Sequence, residues 1–238
     1  VKFLRLSALL TLLISIPSAW AIQCPWWQTQ VDGSRIPRHP RGRQTVKNHP
    51  RKEHCRERWK GADTYIQQFR NDPIKGWPHK EVFKPWSRAE MEKLLRILPT
   101  LPAWAELGKY QFLRATKADT EGNPARSEVT NGAIVLYDIF FTHHDQSAII
   151  AHESAHHLFK KLTPLDINNF VTHSGWSYEA NFQTRKVFKR PPSNPIQPDS
   201  ILGEDEDFAN NVEEFFKAPD RLQKSRPMIY NFLKEKLK

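Results

Sequence analysis

The sequence predicts an α+β fold with a small mixed sheet and a mainly helical C-terminal part. Two observations carry that expectation. Residues 109–115 and 132–141 are apolar runs of strand character flanking the polar loop 116–130, which contains Gly122 and Pro124. Around them lie segments whose apolar residues recur at helical spacing: 62–71, 87–98, 145–162, 204–216 and 228–237. The 238-residue chain has no internal repeat and no long linker. It therefore divides into a leader, 1–21, a basic arm, 22–60, and one compact domain, 61–238.

The leader has a basic start (Lys2, Arg5), an apolar stretch over 6–16, and the small-x-small sequence Ala19-Trp20-Ala21. That pattern predicts export with cleavage after Ala21, to the periplasm or beyond the cell. The apolar stretch is too short for a membrane span, and no later one is long enough. Gln23, standing before Cys24, is not the small residue that lipid attachment requires. In an oxidising compartment the only two cysteines, Cys24 and Cys55, have one partner each, so a disulfide is expected. It would close the arm into a loop.

The formal net charge of +10 concentrates in that arm. Arg35, Arg38, Arg41, Arg43, Lys47, Arg51, Lys52, Arg56, Arg58 and Lys60 are opposed only by Asp32, Glu53 and Glu57, and Pro37, Pro40 and Pro50 deny the segment regular structure. Such an arm reads first as a solvated basic face, and it could also sit on anionic lipid head groups, cell-wall polymers or nucleic acid. Trp26, Trp27 and Trp59 flank it, but export argues against an intracellular nucleic acid as partner.

In the compact domain, 87–98 opens with a Ser87-x-x-Glu90 capping box and is striped by Met91, Leu94, Leu95 and Leu98. The helix 145–162 carries the most informative motif, His152-Glu153-Ser154-Ala155-His156. Residues four apart share one helical face, so both imidazoles are aimed at one point with Glu153 beside it. Neutral imidazoles are preferred zinc ligands, and a carboxylate one step away can take the proton of a water polarised by the metal. Metal-assisted hydrolysis is the chemistry implied. Ala148, Ala151, Ala155, Leu158, Phe159 and Leu162 form the stripe expected to be buried, which places His157 opposite as a solvated residue and not a ligand.

A third ligand must come from elsewhere. The metzincin pattern needs a Gly and a His where Phe159 and Leu162 stand, so that class is excluded. In 203–216, Phe208, Val212, Phe215 and Phe216 form one face, with Glu206, Asn210 and Glu213 on the adjoining one beside the small Ala209. Glu206 is the expected ligand, with Asn210 or Glu213 available to orient a ligating histidine. Pro191, Pro192, Pro195 and Pro198 mark irregular chain before this helix, and Tyr230 and Phe232 on 228–237 are read as packing residues.

His-Glu-x-x-His followed some fifty residues later by Glu206-Asp207-Phe208-Ala209 resembles the gluzincin metallopeptidases, in particular the secreted lethal-factor-type bacterial ones. The likeness spans about 111–216. It implies a zincin-like domain with an active-site helix, zinc held by His152, His156 and Glu206, Glu153 as general base, and a protein or peptide substrate cleaved by a monomer. Glu179 stands at a distance from His156 near that of thermolysin-like third ligands and is the runner-up. Lethal-factor-type enzymes carry an oxyanion-stabilising Tyr one to two turns before the third ligand, where this chain has Asp199-Ser200-Ile201-Leu202. Tyr178 and His173 are the nearest polar donors that could replace it. By the same resemblance the substrate pocket lies between the metal helix and the strand Ala133, Ile134, Val135, Leu136 and Tyr137, whose edge is expected to accept an extended peptide as a further strand. Two alternatives stay open: a catalytically inactive exported binding protein of the same fold, and a zinc hydrolase of cell-wall amide bonds.

Overall fold

A computed structural model of the protein describes residues 24–31, 54–58, 62–73, 75–116, 122–181 and 186–238. The chain forms two compact units, Val1–Arg58 and Trp59–Lys238. In the first, β1 (Gln28–Val31) and β2 (His54–Glu57) make an antiparallel ribbon with Gln30 opposite Cys55. A turn from Pro25 to Gln28 reverses the chain just after Cys24, and the Arg58 amide donates to the Trp27 carbonyl at 2.9 Å. The leader and the arm residues 32–53 lie outside the described residues, as does the side chain of Cys55.

The second unit has the expected mixed α+β character. The helix expected over 62–71 shrinks to α1 (Ala62–Tyr65) and one 3-10 turn, because Phe69 and Arg70 become β3 (Phe69–Arg70), paired parallel with the next strand of the sheet. Extended backbone there lets Phe69 pack in tilted contact with Trp86 and Phe112, with ring centroids 4.9 and 6.1 Å away, and this packing overrides helical spacing. The capping box opens α2 (Arg88–Ile97): Ser87 Oγ accepts from the Glu90 amide and Glu90 accepts from the Ser87 amide. Leu94, Leu95 and Leu98 are fully buried beneath it.

The sheet contains β4 (Gln111–Arg114), β5 (Ala125–Glu128) and β6 (Ala133–Leu136) in the order β3-β4-β6-β5, with β5 antiparallel to β6 and the other pairs parallel. Two expectations are corrected. Part of the polar loop 116–130 is a strand, and β6 is no edge, since β4 and β5 occupy its two sides. Ala133, Ile134, Val135, Leu136 and Tyr137 are all fully buried, as a strand covered on both faces must be. The edge strands are β3 and β5, and the polar side chains of β5 have specific partners: Ser127 Oγ donates to the Glu153 carbonyl at 2.8 Å, and Glu128 meets His79 at 3.0 Å.

After β6 come α3 (Gln146–Phe159), capped by Asp145 accepting from the Ala148 amide, and α4 (Pro164–Ser174), opened by a Thr163–Asp166 capping box. Gly175, at φ 91° in the left-handed region, closes α4 and lets the chain turn into Trp176. The hairpin β7 (Ser177–Asn181) and β8 (Lys186–Arg190) precedes the proline-rich stretch and a 3-10 turn at Pro198–Ile201. Then follow α5 (Glu204–Lys217), α6 (Pro219–Ser225) and α7 (Pro227–Lys236). One core lies between the sheet, α2 and α3, and a second joins α3, α4, α5 and α7 around Phe170 and Phe208. Ala155 of α3 and Ala209 of α5, both fully buried, allow the two helices to pack closely. Among the described residues no helix is long and apolar enough to cross a membrane.

α3 is buried on more than one side. Its alanine stripe is covered, but Glu153, Ser154 and His157 are buried too, because the sheet packs on one side and the C-terminal helices on another. His157, expected in solvent, stacks on Tyr110 with ring centroids 4.2 Å apart. Burial pushes its pKa down to about 4, against a hydrogen bond to the Ala133 backbone that pulls the other way. It is a neutral core histidine.

Candidate metal centre

α3 sets His152 and His156 one turn apart, their ring centroids separated by 5.1 Å at an interplanar angle of 75°. α5 packs across them and delivers Glu206. His152 Nε2 lies 3.2 Å from Glu206 Oε1, and His156 Nε2 lies 3.6 Å from Glu206 Oε2. One ligand atom from each of the three residues fits within 4.8 Å of the others, so this group could hold a metal ion. No other group of three or more such side chains has that property among the described residues.

The far sides of the rings support the fit. Each Nε2 faces the shared carboxylate, while each Nδ1 faces a second one: Glu213 Oε2 at 3.3 Å from His152 and Asp205 Oδ2 at 3.9 Å from His156. These are charge-pair distances and not closed hydrogen bonds, and they place negative charge on the side of each ring away from the shared carboxylate, which favours a cation at Nε2. Of the two orienting residues expected, Glu213 takes that place. Asn210 instead donates to Asp199 Oδ1 at 2.8 Å and Ser200 Oγ at 3.1 Å, and so ties the 3-10 turn to α5.

The electrostatics ask for positive charge. Burial alone would lower the pKa of His152, yet the hydrogen bonds of Glu206 and Glu213 and the nearby Glu153 charge raise it to about 10. Without a metal, a proton on this ring neutralises the carboxylates that a divalent cation would neutralise, and binding a cation must displace it. His156 is lowered, by burial and then by the His152 charge, against the pull of Glu206 and Asp205. The Glu206 and Glu213 carboxyls are held low despite burial by their hydrogen bonds to His152. Glu153, only 6 % exposed, is pushed up to about 7 by burial and by Glu206, opposed by the His152 charge and a hydrogen bond from the Ser127 backbone.

These residues line a cleft of about 610 Å³, within the usual range for a binding site. One wall is β5, through Ala125, Arg126 and Ser127, and the other is α5 with Asp199 and Leu202. Arg126, Ser127, Asp199 and Leu202 are cleft residues that sequence reasoning did not single out. For the first two a signal existed: Ala125 to Glu128 is a short run between turns at Pro124 and Gly132.

The remaining candidates lie elsewhere. Glu179 pairs with Arg190 at 2.6 Å on the β7–β8 hairpin. The Tyr178 hydroxyl donates to Glu204 and the ring is half-exposed. His173 lines a separate cavity of about 280 Å³ beside Arg226. None of the three borders the metal cleft. Comparison of the chain with protein-family models, curated proteins and solved structures finds no match.

Proposed function

We propose that the protein is an exported zinc-dependent peptide hydrolase of gluzincin type, with His152, His156 and Glu206 as the metal ligands. The observation that carries this is the paired orientation of the histidines, with both Nε2 atoms turned to Glu206 and a carboxylate behind each ring. Two imidazoles and one carboxylate leave a coordination position open, the hallmark of a catalytic and not a structural zinc site. When bound, zinc would supply Lewis acidity, polarising a carbonyl and making a water acidic enough to attack near neutral pH. Glu153, on the same helical face and buried in the cleft, accepts the proton of the attacking water and passes it to the leaving amine. β5, an edge strand that lines the cleft and whose Ser127 backbone reaches Glu153, takes the role first expected of β6: an extended peptide lies beside it and is drawn past the ligands.

A second interpretation is an inactive binding protein built on the same cleft. Among the described residues no tyrosine lines the cleft, which favours it, since a phenol would be the donor to a developing oxyanion. Metal content of purified protein tests the ligand set. Wild type and Glu179→Ala are expected to carry one zinc each and Glu206→Ala to lose most of it. Retention by Glu206→Ala with loss from Glu179→Ala would overturn the assignment.

A further inference from the structure

We propose that Lys217 is a positioning residue of the metal site, holding Glu213 against His152 and fastening the end of α5 to the start of α3. The inference rests on the metal-dependent function proposed above. Glu213 presents Oε2 to His152 Nδ1 at 3.3 Å, and its other oxygen, Oε1, meets Lys217 Nζ at 3.3 Å, one helical turn further along α5. The same ammonium reaches Asp145 Oδ2 at 3.2 Å, and the second oxygen of Asp145 caps α3 by accepting from the Ala148 amide at 3.2 Å. The contacts form a closed path. It runs from the N-terminus of α3 through Asp145, Lys217 and Glu213 back to His152 on the same helix.

A carboxylate orients an imidazole only if it is itself held. Glu213 would otherwise be free to rotate about its side-chain torsions, and two groups restrain it: Gln197 Nε2 at 3.4 Å from Oε2 and Lys217 at Oε1. Lys217 is the stronger restraint because its bond is charge-assisted. It also offsets part of the negative charge gathered by Glu153, Glu206 and Glu213. A lysine in the last turn of a helix is favoured by the macrodipole alone, and an ion pair one-third exposed contributes little to folding. A purely structural lysine would therefore be dispensable to the metal, whereas a positioning lysine would not.

The experiment measures Zn(II) affinity by chelator competition, together with the visible spectrum of the Co(II)-loaded protein and the melting of the metal-free form. Lys217→Met is expected to weaken Zn(II) binding about tenfold, the lower end of what loss of an outer partner costs, and to shift the Co(II) bands. Metal-free melting should move by no more than a few degrees. Lys217→Arg restores the charge and should recover most of the affinity. Asp145→Asn keeps the helix cap but loses the charge that anchors Lys217, and should fall between wild type and Lys217→Met. In a Glu213→Gln background, Lys217→Met should add nothing. Wild-type affinity and Co(II) spectrum in Lys217→Met overturn the proposal, as does an equal loss with Glu213 already replaced. If Glu206→Ala abolishes binding while Lys217→Met does not alter it, the metal site stands and only the role of Lys217 falls. A wild-type protein that binds no Zn(II) overturns both.

Discussion

Replacing Glu153 by glutamine separates chemistry from architecture at this site. The side chain is 6 % exposed, and its main-chain carbonyl is held by Ser127 Oγ at 2.8 Å, a bond that survives the substitution. Glutamine keeps the volume and removes a carboxyl already pushed up to about 7 by burial and the nearby Glu206 charge. Folding is therefore expected to be unharmed, with metal-free melting at or above the wild-type temperature. The three proposed ligands are untouched, so zinc content should also match wild type. Only proton transfer is lost. A positioned general base contributes roughly 10²–10⁴ in rate, which corresponds to about 2.7–5.5 kcal/mol in the barrier. The assay is hydrolysis of a diverse pool of peptides and unfolded proteins, because nothing in the cleft fixes a single sequence, with both proteins brought to equal zinc content. Equal cleavage by wild type and Glu153→Gln would refute the role of Glu153 as base. If neither zinc-loaded protein cleaves the pool while wild type binds a peptide or envelope component, the binding-protein interpretation replaces the enzymatic one.

Arg114→Met tests the fold behind the site. The guanidinium, 2 % exposed, donates to Glu90 at 2.9 Å and to the Leu136 carbonyl at 3.2 Å, pairs with Asp138, and sits 4.5 Å over the Phe141 ring; the carboxylates it leaves behind reach solvent, so its removal should cost about 1.5–3 kcal/mol in urea unfolding at neutral pH. An unchanged midpoint would show that the pair contributes nothing. The Glu90 and Asp138 pKa values are both lowered on folding: burial works against this, and hydrogen bonds to Ser87, Arg114 and Lys84 outweigh it. Their contribution is therefore complete above their ordinary carboxylate range and lost as pH falls through the depressed values, so wild type should lose stability in acid more steeply than Arg114→Met. For the arm, a digest of the purified protein without reduction should contain Cys24 and Cys55 in one linked peptide pair, and two alkylatable thiols would end the closed-loop proposal.

The parts of the site that were legible from sequence are those fixed by one helix at a time. His152 and His156 share a face because α3 is regular, and Glu206 is set by the apolar side of α5, where Phe208 and Val212 must turn inward and so point the adjoining carboxylates at α3. Glu213, two turns beyond Glu206, follows from the same geometry. What was not legible depends on neighbours distant in sequence. β5 looked like a loop because only Ala125 of its side chains enters the apolar core, while Arg126, Ser127 and Glu128 meet α3, the 77–83 segment and the open cleft, which erases the alternation expected of a half-buried strand. The single stripe read on α3 underestimated its burial, since a helix between a sheet and a helical layer is covered on both sides, and His157 went inward with the second face.

The misplaced substrate edge has a more general cause. An unbroken apolar run such as 133–137 marks a strand covered on both faces, and such strands lie in the middle of a sheet, where both rows of backbone donors and acceptors are already paired. A strand that recruits a peptide must keep one row unpaired, border the cleft and tolerate water, and polar residues on its flanks are the consequence. Arg126 and Ser127 lie on an edge strand and line the cleft, and Ile134 and Val135 do neither. The hydrophobicity that made β6 conspicuous therefore argued for the core, and the polarity that hid β5 is what suits it to line the cleft with His152, His156 and Glu206.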